Sequence, residues 1–549
     1  MLFDPARREV LRLSGLGFAA AAASVSHGNA SAAPSTAPPG NSQDTAFFNV
    51  RAYGATGDGK TVDSPAINRT IEVAAAAGGG TVFLPAGMYL CFSLRLRSHV
   101  QICLDPGAVI VAADSPHPGE TTGYQGGSYD AAEPKTAWDA YQDYGHNHWH
   151  NSLIWGENLE NCSIVGAGLI WGRGLSNGRS GTRLGYNFVA EQPGVGNKAI
   201  ALKNCRNVLF RDFSILKGGH FGLLLTGVDN LTIDNLTIDT DRDGMDIDCC
   251  RNVRVSNCVV NSPWDDGICP KSSFALGYAR PTENLTISNC YVTGCYQLGT
   301  VLDGTFKKFT GSEEPEMRSS YTGRIKFGTE SNGGFRNITV TNCVFEGCHG
   351  LALETVDGAL AEDIAISNIT LRDIKTCPIF LRLGARLRGP AESTKVGTLR
   401  RVLINNLVSY NTASRISSIL SGIPGYAIED IKMANIFIQH VGGAPTESVN
   451  IRPAELEKGY PEPTMFGPMP AQGFYLRHVR HIEMSHVEVE AAAPDPRPTF
   501  YLDDVDRADF LAVTAASPAF SLNNVKDFRI VASRAAADTT IASTASQQL

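Results

Sequence analysis

A strand-like signature returns every 22 or 23 residues through the middle of this chain, and that habit restricts it to stacked coils. NVLFRDFSI begins at Asn207, NLTIDNLTI at Asn230 and NVRVSNCVV at Asn252, starts that lie 23 and 22 residues apart. Each alternates polar and apolar residues, the pattern of a strand with one buried face. A coil of that length cannot bury its apolar side alone, so successive coils must stack and share a core. Further copies start at Asn284, Asn337, Asp363, Arg401, Asp430 and His481. The wider gap from Asn284 to Asn337 predicts an extra coil or an outward loop. Asparagines at matched positions (Asn257, Asn289, Asn342, Asn368) predict an internal amide ladder. Cys258, Cys290 and Cys343 recur after asparagine, which predicts a buried column of small side chains, with few or no disulfides among the 13 cysteines.

The same repeat gathers acidic residues. Asp243 lies in DRDGMDID, and Asp265 and Asp266 follow in DDGICPKSS, 22 and 23 residues later. Stacked parallel strands run roughly 4.8 Å apart, so these carboxylates are expected one above the other on an outer face. Gly267 and the preceding Pro263-Trp264 allow a bend that brings both adjacent aspartates to one side.

Around this centre the chain divides simply. Arg7 and Arg8, an Ala-rich run and Ala30-Ser31-Ala32 predict a twin-arginine signal peptide over residues 1–32, hence a periplasmic or secreted protein. A linker over 33–44, a β-helix domain over 45–535 and a frayed tail over 536–549 complete the division. A helix is expected from Ser64 to about Ala77, stopped by Gly78-Gly79-Gly80 and covering the open end of the first coil. The polar segment from Ser115 to Gly145, with Tyr124, Trp138, Tyr141 and Tyr144, is expected as a loop over the binding face. A net charge of −8 argues against a nucleic-acid partner. Beyond the signal no apolar run is long enough to span a membrane, and the mature protein is expected to be a monomer.

These motifs resemble those of glycoside hydrolase family 28, the polygalacturonases. DRDGMDID followed one coil later by DDGICPKSS is similar to the family's NTDGIDID and DDAIxIKS, and FGTESNGGFRNITV from Phe327 is similar to GSETSGGVRNV. The opening FNVRAYGATGDGKTVDSPAINRTI is shared by many β-helix carbohydrate enzymes. The resemblance implies an all-β, single-stranded right-handed parallel β-helix with an N-terminal capping helix. It also implies a polysaccharide or oligosaccharide substrate and inverting hydrolysis, with Asp265 as general acid while Asp243 and Asp266 hold and deprotonate water. Three departures bear on the substrate. Asp241-Arg242-Asp243 replaces Asn-Thr-Asp; the family's His-Gly before the GSE stretch has no match near Tyr321-Thr322-Gly323; and the uronate-reading Arg-Ile-Lys aligns with Ala352-Leu353-Glu354. The RIK at Arg324 to Lys326 stands out of place.

Inverting hydrolysis needs an acid and a base about 6.5–9.5 Å apart, and crowding of carboxylates keeps one protonated near neutral pH. Candidate substrate contacts are His220, one coil before Asp243, together with Trp264, Lys271, Glu330 and Glu354. A partly buried, backbone-satisfied ring is the equal alternative for His220 and packing for Trp264, and the two glutamates read either as extending one polar column or as structural hydrogen-bond partners. Arg382 and Arg386 read as a solvated basic loop or as substitute carboxylate binders. His146, His148 and His150 read as a polar loop beside the site, and neither a metal nor a cofactor is expected. A β-helix polysaccharide lyase and a noncatalytic glycan-binding β-helix are the alternatives. The first would release unsaturated product; the second would bind glycan without turnover.

Overall fold

The computed structural model describes residues 46–117, 119–143, 145–176, 192–308, 321–413 and 415–549. The expected signal and linker, and Tyr144, lie outside the described residues.

The repeats form parallel strands, each bonded to its counterpart one coil away. Arg206–Arg211 pairs with Asp229–Asp234, that strand with Arg251–Ser256, then Thr282–Ser288 and Phe335–Glu346, all in parallel. The register stacks Val208, Leu231, Val253, Leu285 and Ile338 into one buried column. Burying one such side chain contributes about 1.5–3 kcal/mol, and the coil repeats the gain at every turn. The 53-residue step from Asn284 to Asn337 adds no coil on this face, because Thr282–Ser288 pairs directly with Phe335–Glu346. Within it lies the antiparallel pair Tyr296–Leu298 and Lys307–Lys308, outside the parallel stack.

Helix α1 (Ser64–Ala76) has Pro65 in its first turn and buries Ala66, Ile67, Thr70, Ile71 and Ala74. It packs into the same apolar core as the coils and so covers its open end. Gly78, Gly79 and Gly80 then run at φ of +93°, +121° and +142°, values that stop a helix and suit only glycine.

At the other end the tail expected to fray over 536–549 is a strand, Thr539–Gln548, paired antiparallel with Phe520–Val531. The unpaired edge of the last coil binds it, which also shields that edge from other chains.

The asparagine ladder exists but stands outside the core. Asn289, Asn342, Asn368 and Asn406 each donate through Nδ2 to the asparagine one coil back, at 3.0–3.2 Å. These residues are exposed, with Asn257, Asn289 and Asn342 at φ of +56° to +60°. The left-handed turn selects asparagine there, and the amide chain follows. All 13 cysteines are free. Cys258, Cys290 and Cys343 are buried, and each donates to the carbonyl two residues earlier.

One outer face matters for function. It is built from strands β1 (Lys198–Lys203), β2 (Phe221–Thr226), β3 (Asp243–Asp248), β4 (Ile268–Lys271), β5 (Lys326–Phe327), β6 (Leu351–Thr355) and β7 (Ile379–Leu383). They pair in that order, β4 meeting β5 through a parallel bridge from Ile268 to Ile325. The segment before Ser152 lies against this face: Trp138 Nε1 donates to the Ala275 carbonyl at 3.3 Å, and Trp149 Nε1 to Thr226 Oγ1 at 3.1 Å.

Candidate active site

On β3, Met245 and Ile247 point into the core while Asp243, Asp246 and Asp248 do not. Two outward residues separated by two positions require a kink, and Gly244 supplies it. A Cβ there would lie 2.4 Å from the Gly267 carbonyl oxygen, so only glycine admits this approach. Gly244 N–H donates to the Asp266 carbonyl and Met245 N–H to that of Gly267, at 2.9 and 3.0 Å. Asp266 is thereby set beside Asp243, and Asp265 beside Arg242. The turn before β4 is closed by Ser262 Oγ donating to the Asp265 carbonyl at 2.8 Å. Asp243, Asp265 and Asp266 each bring one carboxylate oxygen to within 4.8 Å of the others.

The three carboxyls differ in their surroundings. Asp266 is buried between two cations, with Lys326 Nζ 2.5 Å from one oxygen and Arg324 Nε 2.9 Å from the other. Burial opposes its charge, but Lys326 and Arg324 outweigh burial and hold Asp266 well below the usual carboxylate range. Asp265 is partly exposed and takes Arg242 Nη2 at 2.9 Å. Asp243 has no cation within 4.0 Å among the described residues. Burial, then the Asp265 charge, push its carboxyl well above the ordinary value.

Beyond this cluster Arg324 and Lys326 organise a buried layer. Arg324 also pairs with Glu462, brought in by the segment after Tyr460, and stands 3.9 Å from Glu354. Burial raises Glu354 to about 8, against the pull of Lys326 and Arg324, and burial raises Glu462 as well. Both Glu354 oxygens lack a hydrogen-bond partner among the described residues. His349 lies 3.8 Å from Glu462 and is held down to about 3, by burial first and then by Arg324.

Several expected contacts are placed otherwise. His220 is in register with Arg242, since Phe221 pairs with Asp243. It is buried and stacked on Phe221 at 4.2 Å. Trp264 is buried; its Nε1 donates to Gln297 Oε1 at 3.4 Å, and it lines a separate pocket of about 220 Å³ with Lys217, Tyr296 and Gly299. Lys271 is buried and pairs with Glu330 at 3.2 Å. Glu330 and Glu354 do not share a column. Glu354 stands beside Gly328, whereas Glu330 accepts from Asp143 N–H at 2.8 Å and faces His146 at 3.7 Å. Arg382 is no solvated loop residue, being buried on Ser421, Gly422, Glu455 and Leu456. Arg386 pairs with Asp357. The three alternating histidines diverge: His146 binds Asp246 at 2.7 Å, His148 binds Asn151 at 2.7 Å, and His150 binds Glu157 at 3.0 Å.

Sequence reasoning passed over Arg242, Arg324, Lys326, His349 and Glu462. Arg242 was legible, because the spacing that stacks Asp266 on Asp243 stacks Asp265 on Arg242. RIK was visible but set aside as out of place. His349-Gly350 stands one coil after it, in register with Gly323, so the basic pair and the histidine occupy the reverse of the family's order. Glu462 carries no local signal.

The structure defines a class, the parallel β-helices with a carboxylate cluster on one face, and comparison with known proteins narrows it. Residues 47–138 match the family described as rhamnogalacturonase A/epimerase, pectate lyase-like, and residues 156–276 match the right-handed β-helix region. A Vitis vinifera protein named "Probable polygalacturonase" is 23% identical over 310 residues, 52% of this chain and 58% of that one, so the match spans just over half of that relative. The family 28 exopolygalacturonase of Yersinia enterocolitica superposes with a TM-score of 0.60 at 17% identity, over 84% of this chain and 78% of the other. The exopolygalacturonase of Thermotoga maritima gives 0.55 at 19%, over 72% and 87%. The chain is a right-handed parallel β-helix of the polygalacturonase-like kind.

Proposed function

We propose that this protein is an exported glycoside hydrolase, acting as a monomer on a polysaccharide or oligosaccharide at Asp243, Asp265 and Asp266. The observation that carries the reading is the unequal environment of three carboxyls whose oxygens lie within 4.8 Å. Two pair with cations and the third, among the described residues, has none within 4.0 Å, which supplies an anion and an acid side by side. A lyase would want a basic group free to take a proton from carbon, and Arg242, Arg324 and Lys326 each lie on a carboxylate.

The sugar reader differs from a uronate reader. Glu354 stands where the resemblance puts the lysine, and the displaced pair Arg324 and Lys326 is occupied by Asp266 and Glu462. This arrangement favours a sugar recognised through hydroxyls rather than through a carboxylate. The resemblance implies inversion.

The test is a panel of neutral and uronic glycans incubated with the mature protein, with products resolved by chromatography and the first-formed anomer read by proton NMR. Saturated fragments from a neutral glycan, lost in Asp265→Asn, are expected. Unsaturated fragments, or binding without turnover, would overturn the hydrolase reading.

A further inference from the structure

We propose that Glu462 is a specificity-determining residue: it closes the Arg324 guanidinium against a sugar carboxylate, and so admits a neutral sugar beside Asp266 and turns away a uronate. This deepens the hydrolase reading and rests on it for the place of the sugar.

Glu462 is delivered by a segment outside the coil. Residues 443–473 connect the strands Glu429–Gly442 and Phe474–Val479. Leu351 and Leu353 of β6 and Ile379 and Leu381 of β7 belong to the main core, whereas Ala352 and Phe380 between them face outward. Phe466 and Met469 pack on these two, which fastens the segment to the outer face. Within it Glu462 stands between two buried prolines, Pro461 and Pro463. A residue before proline is restricted to extended backbone, and Glu462 takes φ of −132° and ψ of 143°. The local sequence therefore holds this side chain in one direction, onto Arg324.

There its carboxylate meets Arg324 Nη2 and stands 3.8 Å from His349. Arg324 is fully buried while the Glu462 side chain keeps 24% exposure, so the glutamate is the outer member of the pair. Asp266 takes Lys326 at 2.5 Å and Arg324 Nε at 2.9 Å. Two cations thus meet two carboxylates, and Glu354, raised to about 8 chiefly by burial, adds no charge near neutral pH. A sugar carboxylate entering here must displace Glu462 or stand as a third anion beside it and Asp266, and like charges so placed repel. A hydroxyl meets no such opposition. It both donates and accepts, and Arg324 Nη1, Glu462 Oε2 and both Glu354 oxygens are buried without a hydrogen-bond partner among the described residues.

The test is binding and needs no turnover. Methyl galactoside and methyl glucoside, each against its uronide, are compared by ligand-observed NMR titration near neutral pH with the full mature protein. Wild type, Glu462→Gln, Glu462→Ala and Glu462→Asp are measured. Wild type is expected to bind each neutral glycoside more tightly than its uronide. Removing the charge in Glu462→Gln or Glu462→Ala should shift that ratio towards the uronide by about tenfold or more. The gain should weaken with added salt, and Glu462→Asp should keep the wild-type order. A merely structural residue would weaken both sugars together. An unchanged ratio, or a wild type that prefers a uronide, would overturn the proposal. If Glu462→Ala does not fold, the isosteric Glu462→Gln decides in the same way. Failure to hydrolyse any glycan leaves the binding ratio to be read, and an unmoved ratio leaves hydrolysis standing, so the two readings fail separately.

Discussion

Asp243 and Asp266 lie side by side on adjacent coils, tied by the Gly244 N–H donating to the Asp266 carbonyl at 2.9 Å, yet their carboxyls are driven in opposite directions. The backbone register brings them together, and the basic pair one coil further on separates their chemistry. Position in the stack sets which carboxyl is paired, and pairing sets which holds a proton.

Removing the Asp266 charge should damage the fold more than the surface position of a site suggests. Asp266→Asn leaves Arg324 and Lys326 buried with one fewer anion, and breaking such a pair costs about 3–5 kcal/mol. Denaturant unfolding checks this; a loss below about 1 kcal/mol would mean that the layer rearranges around Glu462.

Glu354 should make stability pH-dependent. The folded protein holds its proton more tightly than the unfolded chain, with a value near 8 against an ordinary 4.5, so its contribution falls as pH rises between those values. Glu354→Gln should match wild type in acid and melt a few degrees higher at and above pH 8. Melting curves across pH read this directly, and a Gln variant less stable at alkaline pH would show that Arg324 needs the charge.

Catalysis should depend on the whole cluster while the fold does not depend on Asp265. Asp265→Asn should lower turnover by about 10²–10⁴-fold with a nearly unchanged melting temperature, since this side chain is partly exposed and, among the described residues, bonds to Arg242 and its own turn. Wild-type-like rates would remove Asp265 from the mechanism.

Deleting Thr539–Gln548 uncovers the edge of Phe520–Val531. The truncated protein should melt lower and gain concentration-dependent association, read by light scattering. Unchanged behaviour would mean that the last coil needs no cover.

Much of the fold was legible because a repeat is a global constraint written locally. Alternation at 22–23-residue spacing gave the coils, and Ser64-Pro65 with three glycines gave the capping helix within a residue or two. The ladder's side of the wall was misjudged because asparagine repeats read alike whether inside or outside; the backbone sign at those turns decides it. The three aspartates were found by spacing, whereas Glu462 reaches Arg324 across 138 residues through an irregular segment with no periodicity to betray it. Lys271 and Glu330 looked like substrate contacts singly; their mutual pairing depends on how a coil bends after Phe327.

The most direct test of the account is hydrolysis in water enriched in oxygen-18, with products analysed by mass spectrometry for the glycan that the panel selects. The account predicts saturated fragments that carry a single heavy oxygen at the new reducing end, formed by wild type and abolished in the Asp243→Asn/Asp265→Asn double variant. Fragments without the label and absorbing in the ultraviolet, or labelled fragments still formed by the double variant, would contradict it.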